Sequence, residues 1–558
     1  MGKTKRNLIY QTLYQMLTLV LPFVTAPYIS RVLGTENTGI YSYTYTTVNY
    51  FMLAALLGIE TYGTRTISRV RNDQNALNKA FSSLFYCHIC VAGLCLVVYM
   101  IYVLCFSGAY RVYALIQALY ILAELLNINW FFFGIEEFKI TVTRNLVIKL
   151  LTIASIFLFV KDKGDLIVYI TIMALGTFIS QSFVWIFLRK YVKFVKASCS
   201  EIFQHLKPMS VLFVSVIATS IYRMVSKTML GAMGELSSLG CFEYADKIIR
   251  MPLSIITAIG LVMLSKTSNM YVKNNKGAVS LVSKSMEAVL IFASAIAFGL
   301  CGIANNFAVL FFGAEYAYTG QLIEAMSISL IFMSWNNVLR TQYLMPKCKD
   351  KEYVIAVWAG AMVNIVSNLI FIRLWGATGA ALTTSISYFV VSLVQSHYVK
   401  AELPVFQYLK RSAIPFAAGA VMLVCVKLVG HMLKCSWVTL CIQVLTGAIV
   451  YAVLVLIYLK KIRFFPVRRT GAAVPEETQA EQIRNRPCMV QAVMRGRSVF
   501  DRKVSLCGTL PRIAGNAQAP AGARSEWHPA HRSHPPAEGC CHRWCVPSAR
   551  LPDPLSDP

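Results

Sequence analysis

Long apolar runs recur along the chain from about residue 8 to about residue 459, separated by short polar segments. A helix that crosses a bilayer needs about 20 mostly apolar residues, and these runs have roughly that length. Because backbone polar groups in lipid must bond within their own segment, each run is predicted to be an α-helix. The pattern predicts about fourteen spanning helices, at residues 8–29, 40–59, 81–106, 112–133, 146–160, 166–188, 209–230, 248–264, 288–312, 322–344, 353–372, 377–399, 414–429 and 437–459.

Positive charge alternates from loop to loop along this series of helices. Loops rich in lysine and arginine follow every second run, as at residues 189–196, 266–276 and 347–351, and the loops between them carry fewer. Loops that keep many positive charges stay on the cytoplasmic side of the membrane. We therefore expect an even number of spans, with both termini in the cytoplasm.

Composition agrees with a chain that lies almost wholly in a bilayer. Of its 558 residues, 56% are hydrophobic and 14% are charged, whereas soluble domains are about 25% charged. In a soluble protein the net charge of +27 would suggest nucleic acid. Here the basic residues lie mostly in short loops, so we predict no nucleic-acid partner. The predicted fold class is an all-α polytopic membrane protein.

Short sequence echoes indicate an internal repeat. Gly-Ile-Tyr-Ser-Tyr at 39–43 is echoed by Gly-Cys-Phe-Glu-Tyr at 240–244, and Lys-Tyr-Val-Lys at 190–193 by Tyr-Val-Lys at 398–400. An even number of predicted spans separates the copies, so both copies have the same orientation. Parallel repeats are one architecture of alternating-access transporters. We predict two six-helix lobes at residues 1–200 and 201–405, followed by a transmembrane hairpin at 406–465.

The sequence changes character after about residue 466. Residues 466–558 contain no apolar run and are rich in proline and arginine, and such a segment cannot bury enough apolar surface to fold. We expect them to form a disordered, aberrant tail. The cysteines before the tail stand mostly singly in apolar segments, where cysteine acts as a small hydrophobe. We predict no disulfide framework, no metal and no cofactor.

Basic residues inside the predicted helices are candidates for binding, since a charge at the bilayer centre costs roughly 2.5–3.5 kcal/mol on insertion scales. Arg223 and Lys227 stand four residues apart and share one helix face. Arg31, Arg250 and Arg340 lie nearer to helix ends. Together these cations would suit an anionic head group such as a diphosphate. The alternative for those near the ends is that they only extend to the membrane surface.

Two acidic residues are candidates for ion coupling. Glu124 lies in the middle of the fourth predicted helix, and Glu60 lies at the end of the second. The alternative for Glu124 is a simple ion pair with a buried lysine or arginine. No catalytic constellation accompanies them, because the loops before residue 466 are short and no glycine-rich phosphate loop is present. We therefore predict a transporter rather than an enzyme.

Several stretches carry a resemblance to a known family: Pro-Tyr-Ile-Ser-Arg-Val-Leu-Gly at 27–34, Gly-Ile-Tyr-Ser-Tyr at 39–43, Tyr-Gly-Thr-Arg at 62–65, Asn-Trp-Phe-Phe-Phe-Gly at 129–134 and Pro-Lys at 346–347. They resemble the polysaccharide transporter family of Wzx-type flippases, which move lipid-linked oligosaccharides. That family belongs to the multidrug, oligosaccharidyl-lipid and polysaccharide exporter superfamily. The resemblance covers about residues 1–465.

The resemblance implies two six-helix lobes that give alternating access to a substrate. It implies that an undecaprenyl-diphosphate-linked oligosaccharide moves from the inner to the outer leaflet of the bacterial cell membrane, for capsule, exopolysaccharide or O-antigen synthesis. The implied partners are membrane lipid, this glycan, a polysaccharide polymerase and export machinery. In the family, cationic cavity residues engage the diphosphate, and Arg31 and Arg65 fall on matching motif positions.

Other functions stay open from the sequence. An ion-coupled multidrug exporter of the same superfamily would carry buried acids in its N-terminal lobe, which Glu60 and Glu124 could supply. A lipid II flippase is a second rival. A membrane glycosyltransferase or polymerase would need a large acidic loop, which the sequence before residue 466 does not have. A scaffold of an envelope assembly complex would tolerate neutral replacements of Arg223 and Lys227.

Overall fold

The structure is a computed structural model. It describes the backbone of residues 3–464 and the side chains of residues 21–460, apart from 22, 215, 218, 219, 221, 222 and 265. Residues 3–464 contain no strand, which confirms the all-α prediction. The α-helices are α1 (Lys3–Leu56), α2 (Ile59–Val70), α3 (Gln74–Phe106), α4 (Arg111–Leu125), α5 (Asn129–Gly134), α6 (Phe138–Phe159), α7 (Leu166–Phe183), α8 (Trp185–Leu188), α9 (Cys199–Phe203), α10 (Leu206–Ala232), α11 (Leu236–Lys273), α12 (Asn275–Phe312), α13 (Ala317–Ser327), α14 (Ser329–Leu339), α15 (Asp350–Val399), α16 (Val405–Met432) and α17 (Trp437–Phe464).

The described part of the chain has nine helices that are long and apolar enough to cross a membrane, or up to ten if the bent pair Ala314–Ser327 and Ser329–Leu344 counts as one span. Two long helices each contain two of the predicted spans. α1 is broken at Gly34, whose φ of 76° glycine adopts readily, and α15 is broken at Trp375 and Gly376. The polytopic fold is confirmed, whereas the number of fourteen spans stays a prediction.

Side-chain caps fix where two of the long helices begin. The carboxylate of Asp73 accepts hydrogen bonds from the backbone N of Asn75 and of Ala76 at 2.9 and 3.2 Å, at the start of α3. The side-chain oxygen of Asn274 accepts one from the backbone N of Gly277 at 2.8 Å, at the start of α12. Such caps satisfy backbone donors that have no partner within the helix. Each of these helices therefore begins within a short turn from the one before it.

The two faces of the helical bundle differ in charge. The face that we call the basic face carries the segments 71–73, 134–138, 189–205, 345–349 and 400–404, and the opposite face carries the turns at 34, 107–110, 160–165, 233–235, 313–316 and 375–376. Ion pairs join segments within one face. Arg71 contacts Glu136 at 2.6 Å on the basic face, and Lys163 contacts Glu315 at 2.7 Å on the opposite face. Which face lies in the cytoplasm stays a prediction from the loop charges.

We call α1–α9 the N-terminal half of the bundle and α10–α15 the C-terminal half, and the buried apolar clusters separate close to this boundary. Among the described side chains, three clusters draw their buried members from residues 29–209, and three from residues 230–455. The α16–α17 hairpin packs on α12, where Gly302 faces Val426 and Gly419 faces Phe298. The predicted boundaries at 1–200, 201–405 and 406–465 stay predictions. The predicted tail lies outside the described residues, which end at 464.

Candidate functional site

The two halves meet where α1 crosses α11, and two glycines let their backbones touch. A Cβ on Gly39 would lie 1.8 Å from the carbonyl oxygen of Leu236, and one on Gly240 would lie 2.1 Å from that of Thr35. Only glycine allows a backbone to approach another so closely. Gly39 and Gly240 are also the first residues of the echoes at 39–43 and 240–244. Equivalent positions of the predicted repeat therefore face each other.

Hydrogen bonds join the halves on the opposite face. The hydroxyl of Tyr316 donates to the carbonyl oxygen of Gly34 at 2.8 Å and lies 2.9 Å from the hydroxyl of Thr38. The hydroxyl of Ser30 donates to the carbonyl oxygen of Phe312 at 2.8 Å. With the ion pair between segments 160–165 and 313–316, these bonds hold the halves together on this face. The conformation is therefore closed on the opposite face.

Arg31, predicted from the sequence to bind a diphosphate, takes part in this closure. Its guanidinium donates to the carbonyl oxygen of Leu310 at 2.7 Å and to that of Pro27 at 3.3 Å. Leu310 lies in the last turn of α12, where carbonyl oxygens lack partners within the helix and the helix dipole attracts a cation. In this conformation Arg31 joins the two halves. Its binding to a diphosphate stays a prediction.

Lys227 lies in an ion-pair cluster that also contains Glu243, Asp246, Lys247 and Arg250. The Nζ of Lys227 is 2.8 Å from Glu243 and 3.0 Å from Asp246, and the side chain is 14% exposed. Lys247 contacts Glu243 at 3.1 Å, and Arg250 contacts Asp246 at 2.6 Å. Three cations therefore surround two carboxylates. Lys227 and the two carboxylates are largely buried, and such charges depend on one another, because water does not compensate them.

The ion-pair cluster is tied to both halves. Ser42 of α1 donates to the carboxylate of Glu243 at 2.8 Å, and Arg250 donates to the hydroxyl of Tyr388 at 3.2 Å. The sequence pointed to Lys227 and Arg250 as cations, but it did not reveal Glu243 as a partner. The only sequence signal for Glu243 was its place in the segment Gly-Cys-Phe-Glu-Tyr at 240–244, which echoes residues 39–43. Binding of a diphosphate by Lys227 and Arg250 stays a prediction, and in this conformation their charges are largely neutralised.

Two other predicted arginines border one tyrosine near the start of α15. The guanidinium of Arg340 lies 5.0 Å from the ring centroid of Tyr353, and its Nε is buried without a hydrogen-bond partner. Arg340 opens a π-helical turn, Arg340–Leu344, a distortion that often marks functional sites. Arg223 is exposed and lies close enough to Tyr353 to act electrostatically on its hydroxyl. Arg223 and Arg340 thus lie near one point between α10 and α15.

Arg65 approaches the same end of α15 from the N-terminal half. Burial, and then the neighbouring Arg69, hold the pKa of Arg65 below its usual value, while the carboxylate of Asp350 acts in the other direction. Arg65, Arg223 and Arg340, which we call the arginine site, have no carboxylate within ion-pair distance among the described side chains. The arginine site therefore differs from the ion-pair cluster, because its positive charge is available to an anion.

Glu124 is buried and has no basic partner among the described side chains. Its carboxylate accepts a hydrogen bond from the amide of Asn127 at 2.7 Å, and its backbone carbonyl accepts one from Nε2 of His88 at 2.8 Å. Glu60 is exposed at the start of α2 and acts electrostatically on Glu124. The simple ion pair weighed for Glu124 is therefore absent from the described structure. Within the same residues, no group of three or more His, Cys, Asp or Glu could hold a metal.

Known proteins resemble the chain along most of its length. Residues 4–265 match the family model described as a polysaccharide biosynthesis protein, and residues 135–460 match the one described as lipid II flippase MurJ. A Shigella dysenteriae protein provisionally named an O-antigen transporter is 24% identical over 404 residues, which are 71% of this chain and 100% of that protein. An Escherichia coli (strain K12) protein with the same provisional name is 22% identical over 384 residues, which are 68% of this chain and 92% of that protein.

Two solved structures share the fold. The lipid II flippase MurJ, in an inward closed conformation, has a TM-score of 0.69 at 16% identity and covers 82% of this chain and 100% of its own. A multidrug resistance MATE transporter, in an inward-facing conformation, has a TM-score of 0.55 at 13% identity and covers 76% of this chain and 99% of its own.

The helical fold with its candidate spans and the family-model matches define a multi-span membrane transporter. One family model alone matches more than half of the chain. The chain belongs to the family that this model describes, lipid II flippase MurJ, and its residues 4–265 match the polysaccharide biosynthesis model. The family resemblance inferred from the motifs between residues 27 and 347 is thereby confirmed.

Proposed function

We propose that the protein flips an undecaprenyl-diphosphate-linked oligosaccharide from the inner to the outer leaflet of a bacterial cytoplasmic membrane, for O-antigen, capsule or exopolysaccharide synthesis. The observation that carries this proposal is similarity to two relatives provisionally named O-antigen transporters. The similarity extends over 100% and 92% of the relatives' own lengths. A polysaccharide polymerase and export machinery are proposed partners on the same ground. The protein is not proposed to be an enzyme.

The arginine site gives this proposal a chemical basis. A diphosphate that leaves water needs charge-assisted hydrogen bonds, and guanidinium groups supply them in a planar, bidentate form. Arg223 and Arg340 belong to one half and Arg65 to the other, so a diphosphate between them would contact both halves. The halves are joined on the opposite face in this conformation. A substrate would therefore enter from the basic face and leave after the halves change their contacts.

Removing one arginine of the site should slow flipping more than removing an arginine elsewhere. We expect Arg223→Ala and Arg340→Ala each to lower the flipping rate by at least about tenfold, because each loses a charged hydrogen bond worth about 1.5–3 kcal/mol. The measurement is leaflet transfer of a short fluorescent undecaprenyl-diphosphate glycan by purified full-length protein in liposomes. Lysine at either position should restore only part of the rate, since it lacks the bidentate geometry.

Arg373→Ala is the matched control for this experiment. Arg373 is an exposed arginine of the same C-terminal half, near the break of α15 at the opposite face. Its removal changes the net charge equally and should leave the rate within about twofold of wild type. Equal losses in all three variants would show that only overall charge matters. Wild-type rates for Arg223→Ala and Arg340→Ala would remove the arginine site from the proposal.

An ion-coupled exporter is a second candidate, and the isolated carboxylate of Glu124 favours it. A buried carboxylate without a basic partner is stabilised when it binds a proton or a cation. Such a transporter would move small cationic compounds, and the neutral variants of the arginine site would leave that transport intact. Liposomes supplied with both a cationic dye and the lipid-linked glycan would distinguish the two functions.

If Glu124 couples transport to protons, Glu124→Gln should abolish the response of flipping to an imposed pH gradient while flipping without a gradient continues. Glutamine can still accept the hydrogen bond from Asn127, so the fold should persist, but its amide does not take up a proton. Flipping rates with and without the gradient test this. Glu36→Gln, at an exposed position of α1, is the control. An unchanged gradient response in Glu124→Gln would exclude the coupling role.

A further inference from the structure

A groove lies where the N-terminal half ends and the segment that links it to the C-terminal half begins. It has a volume of about 760 Å³ and is lined by residues of α8 and of the linker 189–198. The apolar wall comes from Trp185, Ile186 and Phe194, and the basic rim comes from Arg189 and Lys193. This groove belongs neither to the arginine site nor to the ion-pair cluster.

The linker is held in place against α3 by hydrogen bonds. The amide of Gln74 donates to the carbonyl oxygen of Tyr191 at 2.8 Å. The backbone N of Lys193 donates to the amide oxygen of Asn78 at 3.0 Å. A further bond joins the backbone N of residue 195 to the side chain of residue 82 at 2.9 Å. The linker is therefore a fixed wall, and the groove is formed before any ligand binds.

Aromatic packing fixes the apolar wall of the groove. The rings of Trp185 and Phe194 lie nearly parallel, with centroids 6.3 Å apart, and both rings pack on Phe85. The indole Nε1 of Trp185 donates inward to the carbonyl oxygen of Leu126 at 2.9 Å. Phe194 nevertheless stays 49% exposed and Ile186 stays 63% exposed. The groove thus presents a rigid apolar surface that no other described part of the chain covers.

The cations of the linker, including the two at the groove rim, have no acidic partner among the described side chains. Arg189, Lys190, Lys193 and Lys196 are exposed, and none of them is in an ion pair with a described carboxylate. The nearest acid along the chain, Glu201, is already paired with Lys79 at 2.5 Å. The candidate membrane span Lys163–Leu188 ends immediately before these cations. An apolar surface at the end of a candidate span thus runs directly into a row of positive charges that no described carboxylate pairs with.

We propose that the groove binds an anionic glycerophospholipid, with an acyl chain against Trp185, Ile186 and Phe194 and its phosphate at Arg189 and Lys193. The charges are complementary, since basic pockets at the cytoplasmic ends of spanning helices attract anionic head groups. The arginine can hold the phosphate in a bidentate manner. Because the linker joins the two halves, the bound lipid would add to the hydrogen bonds that already hold the linker on the N-terminal half. The proposal is independent of which substrate the protein transports.

The test is binding of dioleoyl phosphatidylglycerol to the full-length protein in a neutral detergent, with dioleoyl phosphatidylcholine as the uncharged comparison. Native mass spectrometry would count the bound lipids, and a titration followed by thermal unfolding would give the Kd. We expect one phosphatidylglycerol to bind in preference to phosphatidylcholine. The double variant Arg189→Gln/Lys193→Gln should raise the Kd by about thirtyfold, as expected for the loss of two head-group charges.

Lys266→Gln/Lys273→Gln is the matched control, because it removes two exposed charges near the end of α11 in the other half. It should leave the Kd within about twofold of wild type. Ile186→Gln, which keeps both rim charges but makes the wall polar, should weaken binding, while Arg223→Ala should not. Any of three results would overturn the proposal. The control variant could lose as much affinity for phosphatidylglycerol as Arg189→Gln/Lys193→Gln does, phosphatidylcholine could bind as tightly as phosphatidylglycerol, or Arg189→Gln/Lys193→Gln could keep wild-type affinity.

Discussion

Replacing Lys227 by methionine should lower the free energy of unfolding by about 3 kcal/mol, the low end of the range for removing one partner of a buried ion pair. The low end applies because Lys247 and Arg250 each still contact one of the two carboxylates that Lys227 bridges. Thermal unfolding in detergent would show this as a large fall in Tm. The exposed Lys266→Met variant, in the same half, should unfold like wild type.

A second substitution should reverse most of this loss. In Lys227→Met/Glu243→Gln the buried carboxylate that lost its partner is also removed, and Asp246 keeps Arg250. We expect this double variant to recover at least half of the lost stability, since replacing both members of a buried pair is much less costly than breaking the pair. If Lys227→Met instead unfolds like wild type but no longer flips the glycan, then Lys227 binds substrate, as the sequence predicts, and the ion-pair cluster is not structural.

Gly240→Val should lower the flipping rate by about a hundredfold or more. The valine side chain would meet backbone atoms, and no change of rotamer can move these aside. A Cβ there would already lie 2.1 Å from the carbonyl oxygen of Thr35. The halves would have to separate along the crossing of α1 and α11, and the bonds of Tyr316 to Gly34 and Thr38 would be lost. Leaflet transfer of the lipid-linked glycan in liposomes measures the effect.

Gly93→Val separates this effect from the general cost of valine in a helix. Gly93 lies in α3, where a Cβ would meet nothing within 4 Å, so the change should cost little beyond helix propensity. Gly39→Val, at the equivalent position of the repeat, should match Gly240→Val. Flipping at the wild-type rate by Gly240→Val would mean that closure of the opposite face is not a step of transport.

The fold was largely predictable because the bilayer imposes one requirement on every spanning segment. Apolar runs of sufficient length predicted the helices, and the loop charges predicted that successive loops lie on alternate sides of the membrane. The breaks at Gly34 and Gly376 fall between predicted spans, 8–29 and 40–59 for the first and 353–372 and 377–399 for the second, so the sequence anticipated both. The echoes at 39–43 and 240–244 anticipated a real contact, since Gly39 and Gly240 approach each other's helices closely.

The chemistry of the candidate site was less predictable, because it depends on partners far apart in the chain. Lys227 looked like an available cation, yet two carboxylates on the next helix, at positions 243 and 246, neutralise it. Arg31 looked like a phosphate ligand, yet it bonds a carbonyl oxygen 279 residues away. For Glu124 the sequence left open ion coupling and a simple ion pair, and the described side chains supply no cation for the pair. The sequence shows which charges lie within apolar segments, and the fold shows which of them are buried and what compensates them.

The contact between Ser42 and Glu243 bears on how the two copies of the predicted repeat differ. The two residues are 201 positions apart, the same separation as Gly39 and Gly240, and they bond to each other at 2.8 Å. If the repeat arose by duplication, this position once faced its own copy. Two glutamates there would repel each other, and two serines would leave Lys227 with one carboxylate fewer. Unlike residues at this position therefore give Lys227 a second carboxylate and give that carboxylate a neutral hydrogen-bond donor. The N-terminal half supplies the donor, and the C-terminal half supplies the charge.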